Sequence, residues 1–345
     1  MKIGKRRIST EDPCYIIAEI GVNHNGDSKI AHEMIDVANA AGADAVKFQT
    51  FKASDLASAV APKAEYQIAS TGDGSQLEML QTLELSPEIF KDLREHCRES
   101  GIDFISTAFD NVSLDQVIAL DPACLKWPSG ELNNLPLLKQ AAKASMPIIL
   151  STGMANLSEI EQAVNILSAN GAGDVAILQC VSNYPARIED QNLRAIPAMS
   201  RAFGKPTGFS DHTQGIYAAV AAKALGMAIL EKHLTLDRNM PGPDHMASIE
   251  PEEFALLVKT LRQIEIGLGD GVKRRIASEN AIANVARKSL VYNRNLGRGH
   301  ILEGTDFWAK RPGTGMGPDK LEIFIGMTLN QDVASGEMFK VTHVG

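Results

Sequence analysis

Between Tyr15 and Gly267 the chain alternates short apolar runs that end on polar residues with segments of helical period, eight times over. Gly208 to His233 is the clearest stretch, GFSDHTQGIYAAVAAKALGMAILEKH. An apolar run over Lys205 to Phe209 ends in Ser210-Asp211-His212. An Ala-rich helical segment, Ile216 to Leu225, is stopped by Gly226. A second apolar run, Met227 to Leu230, ends in Glu231-Lys232-His233. That is strand–helix–strand, the unit of a parallel α/β sheet. Residues just past successive parallel strands face the same end of the sheet. His212 and His233 therefore meet although 21 residues separate them. Two imidazoles suit a first-row divalent metal and leave positions for substrate and water. The competing reading is one core and one surface histidine with no shared role.

The remaining strands are read at Tyr15–Ala18, Ala45–Phe48, Ile102–Ser106, Cys124–Lys126, Pro147–Leu150 and Val175–Leu178. Helices fall at Ile30–Ala41, Ser113–Leu120, Asn134–Ala144, Ser158–Ala169 and Asn192–Phe203. Another opens on Ser86-Pro87, an N-cap followed by proline at the first helical position, and runs to Glu99. Pro251 to Gly267 closes the series. Eight pairs in about 255 residues have the count and length of a closed (β/α)8 TIM barrel. A doubly wound open sheet would normally carry a Gly-rich first turn, and GxGxxG is absent. Barrel sites lie at the C-terminal strand ends. Here those ends carry Glu19, Lys47 and Gln49, Thr107, Lys126, Ser151, Ser182, Ser210 and His212, and His233. Phe51 to Leu85 is long and polar, as expected of a lid or binding loop. The expected division is a barrel over 1–267, a polar linker over 268–284, and a small β-rich domain over 285–345.

Net charge is -8, with no Lys/Arg-rich block, which excludes a nucleic-acid partner. Aromatics make up only 5%, so the core is aliphatic and Ala-rich. No run of about 18 apolar residues predicts a membrane helix, and MKIGKRRISTEDP lacks an apolar signal region. Cys14, Cys97, Cys124 and Cys180 show no metal spacing, which favours reduced thiols. A soluble, cytoplasmic protein is the expectation.

Lys47 and Lys126 would each ordinarily be solvated rim charges. Beside a metal they suggest an anion seat, to which Ser151, Ser182 and Ser210 add hydroxyl donors. Glu19 and Glu131 are candidates for proton transfer. Lys126 is also placed for a Schiff base, the metal-free alternative. Asp244, on the rigid turn Pro241-Gly-Pro-Asp-His245, either contacts a polar substrate or holds that turn. His24 and His245 are further metal candidates with weaker placement.

EIGVNHNG, KFQTFKA, STAFD, KWPSGELNN, STGM, CVSNYPA, GFSDHT, ILEKHLTLD and PGPDH, in that order, resemble the sialic acid synthase (N-acetylneuraminate synthase) family. The tail with WAKRPGTG resembles that family's antifreeze-like (SAF) domain. The resemblance covers nearly the whole chain. It implies condensation of phosphoenolpyruvate with N-acetylmannosamine to N-acetylneuraminate and phosphate. It implies a metal held by His212 and His233, usually manganese, with magnesium or cobalt as alternatives. Lys47, Thr107, Lys126, Ser151 and Ser210 would hold phosphoenolpyruvate. Glu19, Gln49, Phe109, Ser129, Glu131, Ser182, Tyr184 and Asp244 would line the metal and sugar site. It further implies a domain-swapped homodimer in which Arg311 reaches the partner's sugar. Trp127-Pro128 and Ser182 depart from some members, which have small or aliphatic residues and Asn there. Related members make legionaminic or pseudaminic acid from diacetamido-trideoxy sugars with the same core motifs, and that is the alternative reading. A non-catalytic sugar- or ice-binding module is a third; Val285 to Gly345 lacks the regular Thr array that ice would require.

Overall fold

The computed structural model describes residues 1–345, the side chain of Ala69 excepted. It divides into two compact units, Met1–Gly269 and Asp270–Gly345. The first is a closed barrel of eight parallel strands: β1 (Tyr15–Gly21), β2 (Ala45–Thr50), β3 (Asp103–Ala108), β4 (Leu125–Trp127), β5 (Ile148–Ser151), β6 (Val175–Cys180), β7 (Thr207–Asp211) and β8 (Ile229–His233). Closure comes from β8 pairing with both β7 and β1, with Ile229 opposite Gly208 and Tyr15. Gly208 is required there, since a Cβ would run into the Ile229 carbonyl oxygen.

Each strand is followed by a helix: α1 (Ser28–Ala40), α2 (Pro87–Ser100), α3 (Asn111–Ala119), α4 (Leu135–Lys143), α5 (Leu157–Ala169), α6 (Ala195–Phe203), α7 (Tyr217–Ala224) and α8 (Pro251–Leu268). Local chemistry sets their starts. Asp27, Ser86, Asp110, Asn134 and Asn156 each accept a backbone N–H of the first turn, and Asn156 completes a capping box with Glu159.

Strand alternation sorts the side chains. Outward-facing Ile16, Ala18, Val46, Phe48, Phe104, Phe209 and Leu230 pack under the helices, as do Leu125, Ile148, Leu150 and Ile177 on the other side. Inward-facing residues at the N-terminal end, among them Tyr15, Ile17, Ala45, Ile105, Cys124, Ile149 and Ile229, form a separate core. A hairpin of Lys2–Ile3 and Arg6–Arg7 precedes β1, and Ile3 and Ile8 join that core. The same inward face then turns polar, strand after strand, toward the C-terminal end.

The strands run further than the apolar runs alone predict. Glu19, Thr107, Ser151, Ser210 and His233 stand inside strands, as the strands read from sequence already place Lys47 and Lys126, and not after them. They remain in the ladder because they are buried against one another. Residues 51–85 are also more ordered than a polar loop suggests. They fold into Ala53–Leu56, Glu65–Thr71 and Gln76–Gln81 around a satellite cluster of Val22, Phe51, Met79 and Leu83.

In the second unit Ser289–Tyr292 pairs antiparallel with Phe307–Lys310. Leu290, Tyr292, Leu302, Phe324, Leu329 and Phe339 form its core, and buried Asp306 accepts from Arg294 and pairs with His300. Part of the expected linker is helical, Asn280–Ala286. Among the described residues no helix is long and apolar enough to cross a membrane.

Candidate active site

The polar inward residues meet as one cluster beneath a cleft. Lys47 Nζ lies 2.8 Å from Glu19 Oε2 and 3.8 Å from Glu231 Oε2, and donates to Thr107 Oγ1 at 3.2 Å. Lys126 Nζ donates to Ser151 Oγ at 2.7 Å and lies 3.5 Å from Glu231 Oε1, which also accepts from Ser210 Oγ at 3.0 Å. Gln49 Nε2 donates to Glu19 Oε1 at 3.0 Å. A β-bulge separates Glu19 from Gly21, whose positive φ of 55° turns the chain where a Cβ would press on the Glu19 carboxylate.

Two lysines and two carboxylates are thus buried together, each no more than 5% exposed. Desolvation opposes every charge here, and pairing decides which survive. Burial raises Glu19 to about 7 against the pull of Lys47. Burial also acts on Glu231, but Lys126 and Lys47 outweigh it and hold that carboxyl below its usual range. Burial lowers Lys126, whereas Glu19 and Glu231 together keep Lys47 raised despite burial. Glu231 is therefore the fixed counter-charge. Glu19 is the carboxyl that gains or loses a proton near neutrality.

His212 and His233 stand at the ends of adjacent strands with ring centroids 5.3 Å apart. His212 Nδ1 donates to the Val181 carbonyl at 2.7 Å, which orients its Nε2 away from that carbonyl. His233 Nδ1 is buried without a hydrogen-bond partner, 3.8 Å from Asp244 Oδ2. Burial, then His212 and Lys47, push His233 well down, so its ring is neutral, as a metal ligand must be. An orphaned imidazole nitrogen beside a second oriented imidazole fits a divalent metal. Among the described residues no third His, Cys, Asp or Glu completes a ligand set, so substrate or water would fill the other positions. Burial raises Asp244 to about 6.

Fourteen of the eighteen candidate site residues named from sequence line this cleft: Glu19, Lys47, Gln49, Thr107, Phe109, Lys126, Ser129, Ser151, Ser182, Tyr184, Ser210, His212, His233 and Asp244. Glu131 is not among them. Its carboxylate accepts from Asn134 Nδ2 at 2.7 Å and its carbonyl accepts from Trp127 Nε1 at 2.8 Å, so it holds the turn before α4. Arg311 belongs to the second unit, where its Nε donates to the Ala286 carbonyl. His24 and His245 hold turns, through Gly26 N–H and Thr235 Oγ1 respectively.

Among the cleft residues that sequence reasoning missed are Glu231, Cys180 and Tyr66. Glu231 was passed over beside Lys232 and His233, although its parity with His233 points it inward. Cys180 Sγ lies 4.0 Å from His212 Nδ1. Burial works against its thiolate, but His212, Ser129 and Lys126 bring it down to about 7. Tyr66 stacks on Tyr184 at 5.4 Å, and Tyr184 lies 4.2 Å from the His212 ring. The length and polarity of 51–85 marked that excursion as a lid or binding loop, and no signal singled out Tyr66 within it.

The NeuB family model matches residues 34–273, and the SAF domain model matches 287–344. The N,N'-diacetyllegionaminic acid synthase of Campylobacter jejuni is 45% identical over 328 residues, 94% of this chain and 98% of that protein. The enzyme of the same name from Legionella pneumophila is 42% identical over 336 residues, 96% and 94% of the two chains. Among solved structures, the N-acetylneuraminic acid (sialic acid) synthetase of Leptospira borgpetersenii in complex with citrate superposes with a TM-score of 0.72 at 35% identity, covering 82% of this chain and 94% of that one.

Proposed function

The chain belongs to the NeuB family, and on that premise we propose that it condenses phosphoenolpyruvate with a 2,4-diacetamido-2,4,6-trideoxyhexose to a legionaminic-acid-type product and phosphate. The choice of sugar is supported by the 45% and 42% identities to the two N,N'-diacetyllegionaminic acid synthases, each over nearly the full chain. N-acetylmannosamine is the competing substrate. The observation that carries the chemistry is the pair of buried lysines, Lys47 and Lys126, in one cleft with His212 and His233.

Lys47 and Lys126, with Thr107, Ser151 and Ser210, hold the carboxylate and phosphate of phosphoenolpyruvate. Their amino groups are already held in place by Glu19, Glu231 and Ser151, so they stabilise developing negative charge without reorganisation. The sugar binds as its open-chain aldehyde, directed by His212 and His233. A divalent ion held by those two imidazoles, manganese by preference, would polarise the aldehyde oxygen as a Lewis acid. C3 of the enol phosphate forms the new carbon–carbon bond with the aldehyde carbon, leaving positive charge at C2. Water adds to C2, and Glu19 takes its proton and returns it to the alkoxide formed from the aldehyde. The C2 hydroxyl then yields its proton to the departing phosphate as the C2–O bond breaks. Glu19 suits this exchange because its carboxyl is poised near neutrality and touches Lys47. Glu131, whose carboxylate accepts from Asn134, is the alternative base.

The test is phosphate release from phosphoenolpyruvate with 2,4-diacetamido-2,4,6-trideoxymannose and with N-acetylmannosamine, with and without Mn²⁺, and mass analysis of the product. Release that is metal-dependent and faster with the trideoxy sugar is expected. Release with N-acetylmannosamine alone would overturn the choice of sugar, and release with neither would overturn the reaction.

A further inference from the structure

The cleft has two unlike halves. Its floor is the lysine–glutamate cluster. The wall over the ends of β1, β2 and β3 is apolar: Val22, Met79 and Leu83, with Leu80 and Phe109 packed against them. Resting on the functional reading above, we propose that this wall is the specificity device for the sugar. It receives the methyl group at C6 of a 6-deoxy sugar and disfavours a hydroxyl there.

Three observations support this. First, the wall is built mainly by the excursion between β2 and α2, not by barrel strands. Met79 lies in the helix Gln76–Gln81, and Leu83 follows it. Val22, Met79 and Leu83 are each no more than 7% exposed, and their cluster is separate from the cores that hold the barrel together. Barrel integrity alone does not require them. Second, the wall is held in place. Phe51 and Phe109, after β2 and β3, meet edge to face with centroids 6.2 Å apart, a favourable aromatic geometry. The excursion is also tied to the other rim, where Tyr66 stacks on Tyr184. Third, the reacting end of the sugar is fixed elsewhere. The histidines stand on β7 and β8, and β1 lies between β8 and the strands that carry Phe51 and Phe109. A sugar whose aldehyde lies at the histidines extends its other end across β1 toward the wall.

A methyl group gains from contact with Met79 and Leu83. A hydroxyl in the same place would surrender its hydrogen bonds to water and find no replacement among them. Apolar pockets reject an added hydroxyl by about 10- to 100-fold, which is the discrimination expected here.

The experiment compares kcat/KM for 2,4-diacetamido-2,4,6-trideoxymannose and its counterpart carrying a C6 hydroxyl, two sugars that differ in that oxygen alone. Native protein should prefer the deoxy sugar by roughly 10- to 100-fold. Met79→Gln and Leu83→Asn should bring the ratio to within about threefold, chiefly through the KM of the sugar, with the KM of phosphoenolpyruvate unmoved. Leu83→Met should keep the native ratio, which separates specificity from damage to the fold. Equal use of both sugars by the native protein, or an undiminished ratio in the polar variants, overturns the assignment. Phosphate release with neither sugar would instead bring down the functional reading, and this proposal with it.

Discussion

Asp211 and Lys232 face outward from β7 and β8, between the helices and the barrel, while their neighbours Ser210, His212, Glu231 and His233 face in. Lys232 Nζ lies 2.9 Å from Asp211 Oδ2 and donates to the Thr213 carbonyl at 2.6 Å. Asp211 Oδ1 accepts from Thr213 N–H at 2.8 Å and from its hydroxyl at 2.7 Å. The two side chains are 0% and 1% exposed. Asp211→Asn keeps the carbonyl that Thr213 needs but removes the charge that balances the ammonium. An uncompensated buried charge costs about 3–5 kcal/mol, which sets the expected loss. Lys232→Met leaves a carboxylate that still accepts two bonds from Thr213, so its loss should fall at about 3 kcal/mol, the lower end of that range. The double variant has no buried charge, keeps both bonds from Thr213 to residue 211, gains a Met of similar length and loses only the lysine donor to the Thr213 carbonyl. It should lie within about 1–2 kcal/mol of the native protein, because a well-packed neutral replacement of a buried pair is close to neutral. Urea unfolding of the four proteins gives the coupling energy directly, expected from these losses at about 4–7 kcal/mol. Single variants within about 1 kcal/mol of native, or a double variant that loses the sum of the two, would refute the reasoning. The pair would then be an incidental contact and not what pins the backbone of His212 and His233.

Three other outcomes follow from the same geometry. Lys47→Met and Lys126→Met should each raise the KM of phosphoenolpyruvate by roughly 10- to 150-fold, the equivalent of a charge-assisted bond of about 1.5–3 kcal/mol; a rise confined to the sugar would place the anion elsewhere. Burial holds His24 down to about 4, with Nδ1 accepting from Gly26 N–H, so its stabilising contribution is complete above the ordinary imidazole value near 6.5 and is lost as pH falls toward 4. The loss amounts to about 3 kcal/mol, and His24→Gln should flatten that part of the pH–stability curve; parallel native and variant curves would contradict it. Finally, if Arg311 of one protomer completes the site of another, mixing inactive His212→Ala and Arg311→Ala chains should restore activity, and subunit exchange without recovery would assign Arg311 no role across chains.

How much of this was legible beforehand depends on the range of the forces involved. The eightfold alternation, the Ser86-Pro87 helix start and the position of Lys47, Lys126 and His233 at the ends of apolar runs are local properties, set by side-chain spacing and by caps a few residues long. They were enough to predict a closed barrel and most of the cleft. The excursion escaped because its helices span only seven residues or fewer; helices so short are stabilised by packing and not by their own period. Glu231 and Glu131 show the same limit at the site. Both are acids on the rim, Glu231 within β8 and Glu131 in the turn after β4, and no residue beside either says which partner it meets. Closure of the barrel places Glu231 opposite Ser210 on β7 and Ile17 on β1 and turns it onto both lysines, while the turn after β4 gives the Glu131 carboxylate to Asn134. The sequence by itself determined which residues point inward. Only the tertiary structure decided which of them share a level, because register across strands is fixed by ring closure and the burial it imposes, and no stretch of chain carries that information alone.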